Sequence, residues 1–326
     1  MKNSLVYYSV GALLYCPANH KTIASSITGE RFGTKYSLAL CLEDTIQDDC
    51  VKDAEQKMLD SLHTVHRAFH DNQTGTGFFL PNIFVRVRCP EQISSLHRRA
   101  GDAKELITGY ILPKFAPDNA DAYLEAIREV NRVSSKTVYM MPILESPAII
   151  HLQHRSSILY DLKEKLDSVE PYVLNIRVGG NDLCHMFGFR RHDNESIHSI
   201  RPVADIFSDI ITVFGMDYVV SGPVWEYYGS AGWDTGLSKE LSEDRLCGFT
   251  GKTVIHPKQI APVNSAYQVP RADMEDAKAI LNWNTDKASG TLVAGSSQGE
   301  RMNEYKTHFH WAQKVLFLAE YYGVKD

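Results

Sequence analysis

Val138-Tyr139-Met140-Met141-Pro142-Ile143-Leu144-Glu145 is a short apolar run that ends abruptly in a carboxylate. A continuous apolar run of this length suits a strand covered on both faces, as in a parallel sheet. Runs of the same texture recur at residues 12–15, 38–42, 83–87, 110–112, 172–178, 218–220 and 253–255. Helical patterns lie between them. In residues 120–133, Ala122, Leu124, Ile127 and Val130 fall at near-helical spacing, and residues 156–169 form another such segment. About eight strands alternating with helices predict an α/β fold, a (β/α)8 TIM-like barrel. An open doubly wound sheet shares the alternation, so the strand count alone does not separate the two.

The residues that close each run carry more information. Residues 38–42 end in Glu43-Asp44, and residues 83–87 carry Arg86, with Arg88 just beyond. Residues 110–112 end in Pro113-Lys114, and residues 172–178 end in Gly179-Gly180-Asn181-Asp182. Residues 253–255 end in His256-Pro257. In a barrel the C-terminal ends of the strands converge on one face, where active sites sit. We therefore expect a barrel domain over residues 1–283 with a mixed acid and base mouth. A C-terminal loop and helix extension is expected over 284–326. Its first part, residues 289–299, is small and polar and reads as a flexible loop or lid. Residues 301–322 resume a helical pattern, with Trp311, Val315 and Leu318 in register.

The bulk properties exclude several classes. The chain has 326 residues, 44% hydrophobic and 23% charged, an ordinary globular balance. A formal net charge of -6 argues against nucleic-acid and anionic-membrane partners, which need a basic face. Residues 5–16 are fairly apolar, but Ser9 and Gly11 interrupt them and no A-x-A site follows, so a first strand is expected rather than a leader. No stretch reaches 18 apolar residues. The six cysteines form no C-x-x-C pair, which argues against a structural zinc site and suits the cytoplasm.

Glu145 and Asp182 close strands that are adjacent in sequence order. Two carboxylates suit Mg2+, which keeps several waters and takes one or two carboxylates plus substrate oxygens. Mn2+ accepts the same ligands. Such an ion polarises a carbonyl and stabilises an enolate. Gly179-Gly180 lets the backbone approach closely. An ion pair with Arg86 or Lys114 is the other reading of these carboxylates, and the residues alone leave both open. Arg86 suits a substrate carboxylate or a developing enolate oxygen, because its planar fork stays charged and binds such groups bidentately. Arg88 shares its face if the strand continues and otherwise sits in the loop beyond. Lys114 is either an electrophile or a structural partner for Glu43. A Schiff-base role would need a lowered pKa.

An ordered set of motifs carries a family resemblance. Leu42-Glu43-Asp44, Val85-Arg86-Val87, Gly109-Tyr110-Ile111-Leu112-Pro113-Lys114, Ile143-Leu144-Glu145, Gly179-Gly180-Asn181-Asp182-Leu183 and the block from Gly248-Phe249-Thr250-Gly251-Lys252 to His256-Pro257-Lys258-Gln259-Ile260 occur in sequence. Together, over residues 12–283, they resemble the citrate lyase β-subunit-like branch of the HpcH/HpaI aldolase superfamily. The resemblance implies a TIM-like barrel, Mg2+ held by Glu145 and Asp182, and substrate contact from Arg86. It implies lyase or condensing chemistry on citryl-, malyl- or methylmalyl-type substrates, commonly CoA thioesters, in trimers or hexamers. Glu43, Asp44 and Glu304 are the candidate acid or base groups. Lys114, Gly180 and Asn181 are candidate substrate contacts.

The chain departs from the family pattern at Cys41, where an Asp is usual, and at Glu55, where an Arg is usual. Near the C-terminus, Gly299-Glu300-Arg301-Met302-Asn303-Glu304 resembles a segment whose Asp serves a neighbour's site, with Glu304 in its place. These changes resemble a divergent branch of C–C bond lyase-like proteins associated with bacterial stress and tellurite-resistance loci. A metal-dependent aldolase acting on free pyruvate-type acids and a non-catalytic metabolite- or partner-binding relative are the competing readings. His63, His66 and His70 share one helical face and read as a solvated or interface face. Arg190-Arg191-His192 reads as a solvated loop or a phosphate contact, and Trp225, Tyr227, Tyr228 and Trp233 as packing or a stacking surface. His256 reads as a fixed hydrogen-bonding partner, and residues 248–252 are too compact for a P-loop.

Overall fold

The computed structural model describes residues 2–71, 77–284 and 290–326. Eight parallel strands form one sheet in the order β7-β6-β5-β4-β3-β2-β1-β8. They are β1 (Ala12–Pro17), β2 (Ser37–Cys41), β3 (Asn82–Arg86), β4 (Ile107–Leu112), β5 (Tyr139–Leu144), β6 (Ile176–Val178), β7 (Val220–Ser221) and β8 (Lys252–Val254). The helices between them are α1 (Ile23–Thr28), α2 (Val51–Asp71), α3 (Pro90–Arg99), α4 (Ala120–Val133), α5 (Leu152–Asp167), α6 (Gly180–Met186), α7 (Arg201–Phe214) and α8 (Trp233–Leu246). The barrel is the architecture expected from the alternation. The open sheet is excluded, because β8 pairs with β1 and the two ends of the sheet meet at a Gly222–Lys252 bridge.

The period-2 alternation of side chains sorts each strand into two faces. Inward residues Leu13, Ala39, Phe84, Ile111, Met141, Ile143 and Leu174 pack together inside the barrel. Outward residues such as Leu14, Leu40, Val85, Tyr110 and Leu144 pack under the helices. Two residues beyond Leu13, Ala39, Phe84 and Ile143, the inward positions are Tyr15, Cys41, Arg86 and Glu145. The interior therefore changes from apolar to ionisable within one layer at the C-terminal end.

The closure at Lys252 is held by charge. Its ammonium is fully buried and pairs with Glu240 Oε1 at 2.9 Å and Asp244 Oδ2 at 2.7 Å, both on α8. Asp244 also takes His198 Nε2 at 2.8 Å, and Glu240 accepts the Ile197 N–H at 2.8 Å. Gly251, at φ +75°, sits where a Cβ would come within 2.7 Å of the Gly11 carbonyl oxygen. Farther along, Gln259 accepts from the N–H groups of Ile255 and His256 and donates to the carbonyls of Trp225 and Tyr227. The most distinctive motif of the sequence is thus a closure device.

After the barrel come α9 (Ile260–Ala266), β9 (Val269–Pro270), α10 (Arg271–Leu281), the hairpin β10 (Val293–Gly295) and β11 (Met302–Glu304), α11 (Tyr305–Tyr322) and β12 (Val324–Lys325). Ala277 and Ile280 of α10 pack on Ala312, Val315 and Ala319 of α11. The far part of α11 returns to the start of the chain, where Phe317 stacks on Tyr8 at 5.1 Å. Residues 290–299 differ from the expected flexible lid. They enter a hairpin anchored to α10, where Asp276 accepts from the Ser297 N–H at 2.9 Å and from Arg301 Nε at 2.9 Å. Ser289 lies outside the described residues. No helix among the described residues is long and apolar enough to cross a membrane.

Replacing Lys252 by Met leaves Glu240 and Asp244 buried without their cation. The expected loss is about 3–5 kcal/mol of folding stability in urea titrations. A Lys252→Met protein within about 1 kcal/mol of the parent would show that the closure does not depend on this pair.

Candidate active site at the barrel mouth

Arg86 ends β3 with its guanidinium inside the barrel mouth, 7% exposed. Its Nη2 lies 2.7 Å from Glu43 Oε2, 3.0 Å from Asp44 Oδ2 and 3.3 Å from Glu145 Oε1. Lys114 Nζ reaches Glu43 Oε1 at 2.5 Å and Asp44 Oδ1 at 3.4 Å. The ends of β2, β3, β4 and β5 are thereby joined in one charged network. Nη1 of Arg86 meets only the Cys41 sulfur at 3.9 Å, and Nε is buried without a partner. The departure at Cys41 thus removes a potential acid beside Arg86 and leaves donor capacity in place.

Lys114 adopts φ +49°, a left-handed conformation uncommon outside glycine. That turn aims its N–H at Glu145 Oε1, 3.0 Å away. Strain of this kind persists where the surroundings hold it and is common at functional sites. The other oxygen, Oε2, faces Gly179, where a Cβ would stand 2.0 Å from it. Gly179 is therefore the glycine that admits the Glu145 carboxylate. Gly180 lines the same cavity but packs outward, towards Ile197 and Pro223. Asn181 and Asp182 follow on the first turn of α6, and Asp182 has no cationic partner among the described residues.

These groups surround a cavity of about 270 Å³, lined by Tyr15, Asp44, Arg86, Glu145, Asn181 and Asp182 and also by Arg177 and Thr253. Burial, opposed by Arg86 and helped by the nearby Asp182 charge, pushes the Glu145 carboxyl up to about 8. Burial also raises Glu43. Burial works the same way on Asp44, but Glu43, Arg86 and Lys114 outweigh it and hold Asp44 below the usual range. Two neighbouring carboxyls pushed apart in this way form a candidate acid and base pair. Burial tends to lower Lys114, but its two carboxylate partners raise it overall, so the activated amine of a Schiff-base lysine is not formed.

The donor set at Glu145 and Asp182 is all oxygen, and the two carboxylates share one cavity in which the charge of Asp182 acts on Glu145. A hard divalent cation fits that arrangement. Among the described residues, the one group of three metal-type side chains with ligand atoms within 4.8 Å is His66, His70 and Glu105, on the outer flank away from the mouth. His63 instead bonds the Ala100 carbonyl at 2.9 Å.

Other expectations resolve structurally. Arg88 lies in the loop past β3 and pairs with Asp48 at 2.7 Å. Glu55 ties α2 to α3 through Arg99 at 2.5 Å and Gln92 at 2.8 Å. Arg191 is neither a phosphate contact nor solvated, because it is 2% exposed and paired with Glu240 at 3.3 Å. Trp225 is buried beneath it. His256 caps the turn after β8 by accepting the Lys258 N–H at 3.2 Å, and it stacks on Tyr228. Glu304 sits in the outer hairpin at the start of α11 and lines no part of the mouth cavity. Arg177 is the cavity residue that sequence reading passed over. Its signal was a lone cation inside the apolar run at residues 172–178.

The family model for C–C bond lyases of the TIM-barrel fold matches residues 4–324. The chain belongs to this family. Among solved structures, the fold is similar to CitE from Mycobacterium tuberculosis, in a complex with magnesium, acetoacetate and coenzyme A. The TM-score is 0.59 at 16% identity, over 96% of this chain and 99% of that one. RipC from Yersinia pestis has a TM-score of 0.55 at 16% identity, over 82% and 99% of the two chains. A citrate lyase β subunit from M. tuberculosis, complexed with oxaloacetate and magnesium, has a TM-score of 0.52 at 16% identity, over 81% and 99%. No curated protein matches the sequence.

The buried acid predicts a pH signature in metal-free protein. Glu145 is raised from the ordinary 4.5 to about 8, so between these values the folded state holds a proton that the unfolded chain has lost. Stability therefore falls as pH rises through this window. The loss is expected to be on the order of a few kcal/mol, and Glu145→Gln abolishes it. Parallel pH profiles of urea stability for the two proteins would contradict this assignment.

Proposed function

We propose that this protein is a Mg2+-dependent carbon–carbon lyase or aldolase for a hydroxy- or oxo-acid. The candidate class is an acyl-CoA thioester of the citryl- or malyl-type. The observation that carries the proposal is Arg86 at the centre of Glu43, Asp44 and Glu145, in the same cavity as the unpaired Asp182. Family membership supports the reaction type.

Glu145 and Asp182 are the residues that would hold Mg2+, and the oxygen-only donor set accepts Mn2+ as well. The ion, when bound, supplies a Lewis acid for the oxygens of the acid. In the cleavage direction, a carboxylate removes the hydroxyl proton. The hydroxyl-bearing carbon becomes a carbonyl, and the electrons of the broken C–C bond pass to the departing fragment as an enolate. Glu43 is suited to the proton transfer, being buried, raised in pKa and hydrogen-bonded to Lys114. Asp44 stays charged and fixes Arg86 and Lys114 in place. Arg86 offers its guanidinium to the oxygen that gains negative charge. Asn181, exposed at the rim, and Lys114 contact the acid. Glu304 would act only at the mouth of a neighbouring copy in a homo-oligomeric trimer or hexamer. The proposed setting is cytoplasmic.

Calorimetric titration of Mg2+ in the presence of oxaloacetate is expected to show acid-dependent binding that Asp182→Ala abolishes. Arg86→Lys is expected to lower turnover by about 10²–10³ in an assay of acetyl-CoA formation from the acyl-CoA thioester, through loss of the fork that meets the developing charge. Full turnover of Asp182→Ala in Mg2+ would falsify the metal assignment. No Mg2+ binding in either protein would favour a non-catalytic metabolite- or partner-binding role.

A further inference from the structure

Arg177 stands out from every other cation in the barrel. It projects inward from β6 into the mouth cavity and is 1% exposed. Its Nη2 reaches past the two-residue β7 to Thr253 Oγ1 on β8, 2.6 Å away. Its Nε and Nη1 are buried and make no well-formed hydrogen bond among the described residues, the neutral phenol of Tyr15 being the polar group beside them. No carboxylate among the described residues lies within ion-pair distance of it, whereas Arg86, in the same cavity, is shared by three. The side chain of Tyr15 faces both guanidinium groups, but burial pushes its phenol up to about 12, so it supplies no negative charge near neutral pH.

A buried guanidinium without a counter-ion is costly to the folded state. Arginine inside an apolar strand is retained at that cost only where something repays it, and Arg177 borders a ligand-sized space. The charge count points the same way. Four carboxylates (Glu43, Asp44, Glu145, Asp182) and three cations (Arg86, Lys114, Arg177) meet at the mouth, and all the pairing gathers at the Arg86 side.

Resting on the proposed reading of the mouth as a metal-assisted acid site, we propose that Arg177 receives a second carboxylate of the substrate. The site then selects diacids over monoacids. One carboxylate and its neighbouring oxygen lie towards Glu145, Asp182 and Arg86. The other carboxylate pairs with the guanidinium of Arg177 on the β6 side, the side chain turning slightly to present its idle donors. In a thioester substrate, the acyl group therefore carries two free carboxylates. Arg177 is a specificity-determining residue and takes no part in proton transfer. Its charge and its donors are what the reaction needs from it.

L-Malate and L-lactate share the hydroxy-acid end and differ in the second carboxylate, so they isolate this contact. With Mg2+ present, calorimetry on the full-length protein is expected to show malate binding at least ~30-fold more tightly than lactate, the scale of losing one partner of a buried charge pair. Arg177→Met is expected to remove that advantage while lactate binding stays within about twofold. Without Mg2+ or acid, Arg177→Met melts at or above the parent temperature, because it deletes an unpaired buried charge. With Mg2+, malate then raises the melting temperature of the parent more than lactate does, and that of the variant no more than lactate does. Equal affinity of the parent for the two acids, or a preference for malate that survives in Arg177→Met, overturns the role of Arg177. If the variant does not fold, the malate-to-lactate ratio of the parent decides. Lactate binding in Mg2+ without a malate preference sinks this inference alone, whereas binding of neither acid sinks it together with the metal-site reading.

Discussion

The fold depends on one joint. A parallel barrel is stable only if the two ends of its sheet meet, and here β7 and β8 meet at the Gly222–Lys252 bridge. The Lys252 ammonium secures the joint from outside, clamped to Glu240 and Asp244 on α8. Each of those acids is tied in turn to the segment after α6, through Arg191, Ile197 and His198. A buried ion pair adds little net stability over a well-packed apolar contact, but it tolerates few alternative geometries. The network fixes the angle at which β8 enters the barrel, and with it the position of Thr253 at the mouth.

The mouth uses the same physics for another end. At the closure, opposite charges are matched and saturated. At the mouth they are gathered unevenly. Glu43, Asp44 and Glu145 converge on Arg86, while among the described residues Asp182 has no cation and Arg177 no anion. An acid pushed up to about 8 and a guanidinium with idle donors in one small cavity are expensive features for an empty barrel. The proposed Mg2+ and the proposed substrate carboxylate would relieve both. The strained turn at Lys114 and the missing Cβ at Gly179 serve this arrangement by admitting and orienting Glu145.

Much of the architecture was legible because the strands are short and buried on both faces. The run at 83–87 became β3 at Asn82–Arg86, and the run at 138–143 became β5 at Tyr139–Leu144. Residues 120–133 are α4, with the expected bounds. The runs at 172–178 and 218–220 form shorter ladders, Ile176–Val178 and Val220–Ser221. Of the charged strand ends, Glu43, Asp44, Arg86, Lys114, Glu145 and Asp182 gather at one mouth. Glu304 does not, because the hairpin that carries it is anchored to α10.

What the sequence determined by itself was periodicity and endings: which runs are strands, which faces are apolar, and which strands stop at a charge. Those properties are local, set by two-residue alternation and by the cost of burying an ion. The tertiary structure alone decided pairing. Arg191 and Arg177 are both arginines near the same run of sequence, and no local signal separates them. One is neutralised by Glu240, 49 residues away, and the other meets the neutral hydroxyl of Thr253, 76 residues away, because barrel closure brings distant strands and helices together. Whether a buried charge is spent on the fold or left for a ligand depends on those long-range neighbours.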